Sequence, residues 1–168
     1  TDVVGDGKYT TVEFQPSVAY PFKLSPDSTH TFRPGIQFGI NFRTLNPDAF
    51  YYDNQWNGQQ FDEHIPHNES FTSTSRTDFT LGVGGVYEYQ KGKRERISTG
   101  IGLFNLNRPN QGFFNDKMNR EIRLNWFARA EYKVGFDWDV LPSLQLNFQG
   151  KYRELIIGSQ LRYILQDR

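Results

Sequence analysis

Phe32-Arg33-Pro34-Gly35-Ile36-Gln37-Phe38-Gly39-Ile40-Asn41-Phe42-Arg43 alternates without a slip. The even positions carry Phe32, Pro34, Ile36, Phe38, Ile40 and Phe42, and the odd ones Arg33, Gly35, Gln37, Gly39, Asn41 and Arg43. Successive side chains of a strand point to opposite sides, so this run predicts a strand with one apolar and one polar face. Residues 10–22 repeat the pattern, with Val12, Phe14, Pro16, Val18, Tyr20 and Phe22 set against Thr11, Glu13, Gln15, Ser17 and Ala19.

Five further segments alternate in the same way. In residues 78–89, Phe79, Leu81, Val83, Tyr87 and Tyr89 oppose Asp78, Thr80, Gly82, Gly84 and Glu88. Residues 96–106 set Ile97, Ile101 and Leu103 against Ser98, Gly100 and Gly102, until Phe104 and Leu106 break the pattern. Residues 122–134 place Ile122, Leu124, Trp126, Ala128, Ala130, Tyr132 and Val134 on one side. Val140, Leu144, Leu146 and Phe148 do the same, as do Leu155, Ile157, Leu161, Tyr163 and Leu165. Seven strands and no helix are predicted.

Composition agrees and excludes other classes. The 168 residues include 15 Phe, 9 Tyr, 3 Trp and 15 Gly, with a single Met, a diet suited to strands and turns rather than to disorder. Mean hydropathy is -0.69, and no apolar run approaches the roughly 18 residues of a membrane helix. Nineteen basic and nineteen acidic residues leave no net charge, which argues against a nucleic-acid partner. There is no cysteine, hence no disulfide, thiolate nucleophile or Cys-ligated zinc.

Loop lengths carry the next signal. Tight turns are predicted at Ser25-Pro26-Asp27-Ser28, around Gly92 and around Gly135. Between them fall a long loop at about 45–76 and a medium one at about 107–120. The connection near 150–153 departs from this scheme by being short. Alternating short turns and long loops characterise outer-membrane barrels. Period two alone leaves a soluble all-β binding fold open, because both have one apolar face. Three features favour the membrane: strands of about 11 to 14 residues against a usual 5 or 6, aromatic residues ending the apolar faces, and polar faces rich in glycine and in both signs of charge. The reading is an all-β, antiparallel transmembrane β-barrel. Residues 1–168 form part of a single such domain. Seven strands and a start at Thr1 without a signal-peptide pattern suggest a section of a larger barrel, since bacterial single-chain barrels have an even number.

Signals for chemistry are few. Asp62-Glu63-His64-Ile65-Pro66-His67 gathers two acids and two imidazoles, making His64 and His67 weak metal candidates, yet the spacing matches no closed ligand set. His30 sits at a turn and reads as a surface residue. There is no G-x-S-x-G elbow. Gly82-Val83-Gly84-Gly85 lies mid-strand with no helix after it, so it fails the context of a phosphate loop. Glu13 and Glu131 are suited to acid–base work, but cross-strand pairing with Arg33, Arg123 or Arg129 is the simpler expectation.

The most distinctive stretch is Asn105-Leu106-Asn107-Arg108-Pro109-Asn110-Gln111-Gly112-Phe113-Phe114. Residues 100–114 resemble the strand-and-loop motif G-x-x-x-x-x-L-N-R-P-N-Q-x-F of the PorP/SprF family, the outer-membrane barrel components of the type IX secretion system of Bacteroidota. Residues 32–42, the Asp/Gln/Phe-rich loop at 50–61 and residues 155–163 are also similar to that family. The resemblance implies a non-enzymatic role in the outer membrane, with no catalytic residue to transfer and no cofactor. It implies support for export or surface anchoring of large secreted proteins, including adhesins used in gliding motility. Implied partners are other type IX components, periplasmic and outer-membrane, secreted adhesins and the lipid bilayer. Asn107, Arg108, Pro109, Asn110, Phe113 and Phe114 are the motif positions. Either they shape the turn, through Pro109 and the two asparagines, or Arg108, Phe113 and Phe114 present a docking surface. The competing functions are a general diffusion or small-solute barrel, suggested by the Arg-, Gln- and Asn-lined polar face, and an outer-membrane enzyme using His64 and His67.

The long loop is expected outside the cell and the tight turns in the periplasm. Protease added to intact cells should therefore cut within residues 45–76 and spare residues 91–96. Cleavage confined to 91–96 would reverse the orientation.

Overall fold

The computed structural model describes residues 2–5, 9–62, 64–66, 68, 73–113 and 117–165. Among these residues are ten strands: β1 (Asp2–Val4), β2 (Tyr9–Phe14), β3 (Ser17–Ala19), β4 (Phe22–Lys23), β5 (His30–Thr44), β6 (Ser75–Gln90), β7 (Arg96–Phe104), β8 (Arg123–Lys133), β9 (Trp138–Gln149) and β10 (Tyr152–Tyr163). Helical structure among the described residues is limited to two 3-10 turns, Pro47–Ala49 and Asp53–Gln55. The sheet order is β1-β2-β5-β6-β7-β8-β9-β10, with β3 and β4 also on β5. The ladders run antiparallel.

The single strand expected over residues 10–22 is three, β2, β3 and β4. Pro16 and Pro21 lack the N–H a ladder needs, so each interrupts the bonding. Face and register survive the breaks: Phe14 pairs with Ile40, Ser17 with Gln37 and Phe22 with Phe32. The carbonyl of Pro16 still accepts from Phe38 N at 3.0 Å. β7 ends at Phe104 rather than Leu106, because Asn105 turns the chain with a positive φ of 59°. The remaining predicted strands appear within a few residues of their expected bounds.

Two compact units divide the chain. One comprises residues 1–15, 39–80 and 109–120, the other 16–38, 81–108 and 121–168. β5 and β6 contribute to both.

Side-chain burial is inverted relative to a water-soluble domain. Apart from Pro47 and Pro109, no aliphatic or aromatic side chain among the described residues is buried. The other buried side chains are polar: Asn41, Arg43, Gln55, Asp78, Thr80, Asn105 and Asp139. Phe14, Ile36, Phe38, Leu81 and Leu161, expected to meet lipid, are all exposed, Leu161 at 70%. A soluble sandwich would hide one apolar face against a second sheet; here that face is on the outside.

In the second unit, the tight-turn ends of the strands carry the expected aromatic rings. Tyr20 meets Phe22 at 5.0 Å between centroids, His30 meets Tyr89 at 4.9 Å, and Trp138 meets Tyr163 at 4.8 Å. His30 is thus not a bare surface residue; its Nδ1 lies 2.6 Å from the Tyr87 hydroxyl. Amphipathic rings of this kind sit well at headgroup level. In the β4–β5 turn, Ser25 and then Thr29 hydrogen-bond the Asp27 carboxylate and hold its pKa at about 2.

A lysine at Phe38 or Leu161 should destabilise the lipid-inserted protein by about 2 to 4 kcal/mol near the bilayer midplane and less toward either surface. Denaturant unfolding from vesicles measures this, with Gln160→Lys on the opposite face as the comparison. Equal costs on the two faces would contradict the assignment.

Candidate functional site

After β7, Asn105 adopts the left-handed conformation that asparagine tolerates better than most residues. Its buried side chain donates to the Glu121 carbonyl at 3.2 Å, and its own carbonyl accepts from Arg108 N at 2.9 Å. Asn107 Oδ1 accepts from Leu81 N at 3.1 Å, while Leu106 N donates to Leu81 O at 3.0 Å. These bonds clip the start of the loop to β6. Arg108 reaches both carboxylate oxygens of Glu121, at 2.9 and 3.0 Å, and stays about half exposed.

Pro109 is buried, and its carbonyl accepts from Arg120 N at 2.9 Å. Asn110 Oδ1 accepts from Gly112 N and Met118 N, at 3.1 and 2.9 Å. Asn110 and Asn119 form an isolated bridge, and Arg76 Nε donates to the Asn110 carbonyl at 3.0 Å. Phe113 is half-buried, its ring edge-on to Tyr9 at 6.1 Å. Phe114 lies outside the described residues. Asn107, Pro109 and Asn110 therefore build the loop through backbone contacts, while Asn107 and Arg108 are exposed and Asn110 and Phe113 half-buried.

Among the described residues of the histidine loop no metal-ligand set is gathered. His64 donates its backbone N–H to Asp62 Oδ1 at 3.0 Å and brings Nδ1 within 3.1 Å of the same oxygen. The first of these bonds is the main cause of a lowered Asp62 pKa. His67 lies outside the described residues, and among those described no three His, Cys, Asp or Glu side chains are placed to share a metal.

The polar faces hold ion pairs, though not the pairs expected. Glu13 pairs with Arg120 at 3.5 Å and Glu131 with Arg162 at 3.0 Å, while Arg33 pairs with Glu88 at 3.3 Å. Arg123 and Arg129 are instead over rings, 4.7 Å from Phe104 and 5.2 Å from Phe127. Those rings lie on the polar face, against glycines. A Cβ on Gly102 would stand 2.9 Å from Phe104, and one on Gly100 2.5 Å from Phe127. Glycine at these sites lets an aromatic ring lie flat on the sheet. The sequence signal was the glycines at one parity in β7.

Two charged knots were not foreseen. In the first unit, Asp78 meets Arg43 at 3.1 Å and Asn41 Nδ2 at 3.0 Å, all three buried. In the second, buried Asp139 receives Arg94 at 2.7 Å and Arg162 at 2.8 Å. Arg94, from the β6–β7 turn, also donates to the carbonyls of Phe136 and Trp138 and thereby ties down the β8–β9 turn. At the other end of these strands a cavity of about 610 Å³ is lined by Arg123, Asn125, Gln145, Asn147 and Gln149, with Tyr152 and Glu154. Asn147 donates to Glu154 at 2.6 Å there and accepts from Asn125.

A family model described as type IX secretion system membrane protein PorP/SprF matches residues 2–165. The chain belongs to the PorP/SprF family. It is a membrane component of type IX secretion, in a family that works with other components of that system and is not known for enzymes. The antiparallel all-β fold of this PorP/SprF chain agrees with a barrel that crosses the membrane by strands. No curated protein and no solved structure matches it.

Asn107→Ala and Asn110→Ala should each lower stability by about 0.5 to 1.5 kcal/mol, because backbone N–H groups lose their acceptor. Arg108→Ala should cost under about 1 kcal/mol, as exposed ion pairs do. Thermal unfolding in detergent tests this. The reverse order would mean that the asparagines do not build the loop.

Proposed function

We propose that this PorP/SprF chain acts in the outer membrane as a non-enzymatic barrel wall, one domain throughout, that supports export or surface anchoring of large secreted proteins, adhesins of gliding motility among them. The inverted burial carries this reading. A face of Phe14, Ile36, Phe38, Leu81 and Leu161 has lipid as its natural solvent. The use of strands supports outer-membrane placement, since bacterial barrels of this kind are an outer-membrane solution to spanning a bilayer.

A non-enzymatic role is supported by what the acids do. Glu13, Glu88, Glu131 and Asp139 each hold an arginine. Partner contact is assigned to the motif loop: Arg108, Phe113 and Phe114 meet a type IX component or secreted protein, on a frame made by Asn107, Pro109 and Asn110. The amide-lined cavity beside Asn147 favours a second reading, a barrel for small polar solutes.

Affinity capture of the tagged protein from detergent-solubilised membranes separates the two. Co-purification of type IX subunits or a secreted adhesin, lost on Arg108→Ala, is the expected result. Capture of none, together with steady solute-permeable conductance in planar bilayers, would favour the solute barrel. Recovery as a soluble monomer without detergent would overturn both.

A further inference from the structure

The loop between β5 and β6 carries an aromatic surface that the family reading leaves unused. Tyr51 is 78% exposed and Trp56 57% exposed. Trp56 and Phe61 face each other in an isolated bridge, and Tyr51 packs edge-on to Phe61 at 4.7 Å. Large rings left in the open on a loop are costly unless something covers them.

The rings stand on a rigid base. Gln55 is buried; its Oε1 accepts from Tyr52 N at 3.1 Å and its Nε2 donates to Ile65 O at 3.0 Å. Asp62 N donates to Gln55 O at 2.9 Å, and the Tyr52 hydroxyl donates to Pro47 O at 2.9 Å. A surface held in this way loses little entropy on binding.

Charge selects the occupant. Residues 44–75 contain Asp48, Asp53, Asp62, Glu63 and Glu69 but no Lys or Arg, in a chain balanced at nineteen of each sign. Asp53 is exposed, and Asp62 is kept ionised by the His64 backbone N–H. Anionic headgroups and acidic polymers are repelled by such a loop. Two of the loop's amides are turned to its own backbone: Asn57 Oδ1 accepts from Gln59 N and Gln60 N at 3.0 and 2.9 Å, and Asn54 Nδ2 donates to Pro66 O at 3.1 Å. The exposed Tyr51 and Trp56 rings and the exposed Asp53 carboxylate, on a loop without Lys or Arg, suit a guanidinium, which stacks on a ring and makes charge-assisted hydrogen bonds to a carboxylate.

We propose that the Tyr51–Trp56–Phe61 surface docks an arginine-rich polypeptide segment. It is a surface separate from the motif loop, and its test needs no type IX component.

The test uses the purified full chain in detergent and a fluorescein-labelled ten-residue peptide of alternating Gly and Arg, read by anisotropy. The peptide should bind, and an alternating Gly and Glu peptide should not. Tyr51→Ala with Trp56→Ala should weaken binding about tenfold or more. Tyr51→Phe with Trp56→Phe, which keeps the rings, should retain it. Asp53→Asn should weaken it by about threefold. Alanine variants that bind as well as the unaltered chain would overturn the proposal, as would phenylalanine variants that bind no better than the alanine ones. Displacement of the peptide by maltohexaose, or by phosphatidylcholine vesicles, would overturn it in favour of a sugar or a bilayer.

Discussion

Asp139 lies without solvent contact between the guanidinium groups of Arg94 and Arg162, and the polar side of the second unit depends on that neutralisation. A membrane strand sends its apolar side chains to lipid and must gather its polar ones on the other face. Charges brought together there cannot be left single, because an unpaired ion away from water is far costlier than a paired one. Asp78 with Arg43 solves the same problem in the first unit. Arg94 extends the solution to a turn by donating to carbonyls of the neighbouring hairpin. The rings of Phe104 and Phe127 lie against glycines on the same face, and the exposed guanidinium groups of Arg123 and Arg129 lie over them.

The strands were legible because their signal is local. In β5 each residue's side is given by its parity, and Ile36 and Asn41 fall where the alternation puts them. Pro16 and Pro21 mark the breaks between β2, β3 and β4, yet parity continues through them, so reading residues 10–22 as one strand kept every face right. Ion pairing was less legible. Arg94 and Asp139 are 45 positions apart, and Arg94 belongs to a turn, where parity carries no meaning. Glu131 reaches Arg162 across β9, a choice governed by side-chain length and by the two arginines already committed to rings. Phe127 falls on the polar face by parity, a place for an aromatic ring that makes sense only with Gly100 beneath it.

The motif loop was recognisable in the sequence, but the division of labour within it was not. Asparagine at 105, 107 and 110 reads as generic turn chemistry, and local hydrogen bonding is what these residues do. What singles out Asn107 is its partner, the Leu81 backbone on β6, which no local pattern predicts. Membership of PorP/SprF then gives the fold its setting: the same exposed apolar face that would be an aggregation hazard in water is the contact surface with lipid.

The central claim is the inside-out assignment of β10 and its neighbours, and the absence of cysteine makes it directly measurable. Single cysteines placed in turn from Glu154 to Leu161, labelled with a fluorophore in vesicle-reconstituted protein, are read with a lipid-attached spin-label quencher. Quenching should be strong at 155, 157, 159 and 161 and weak at 154, 156, 158 and 160. Uniform quenching, or the opposite phase, would contradict the fold's placement in the membrane.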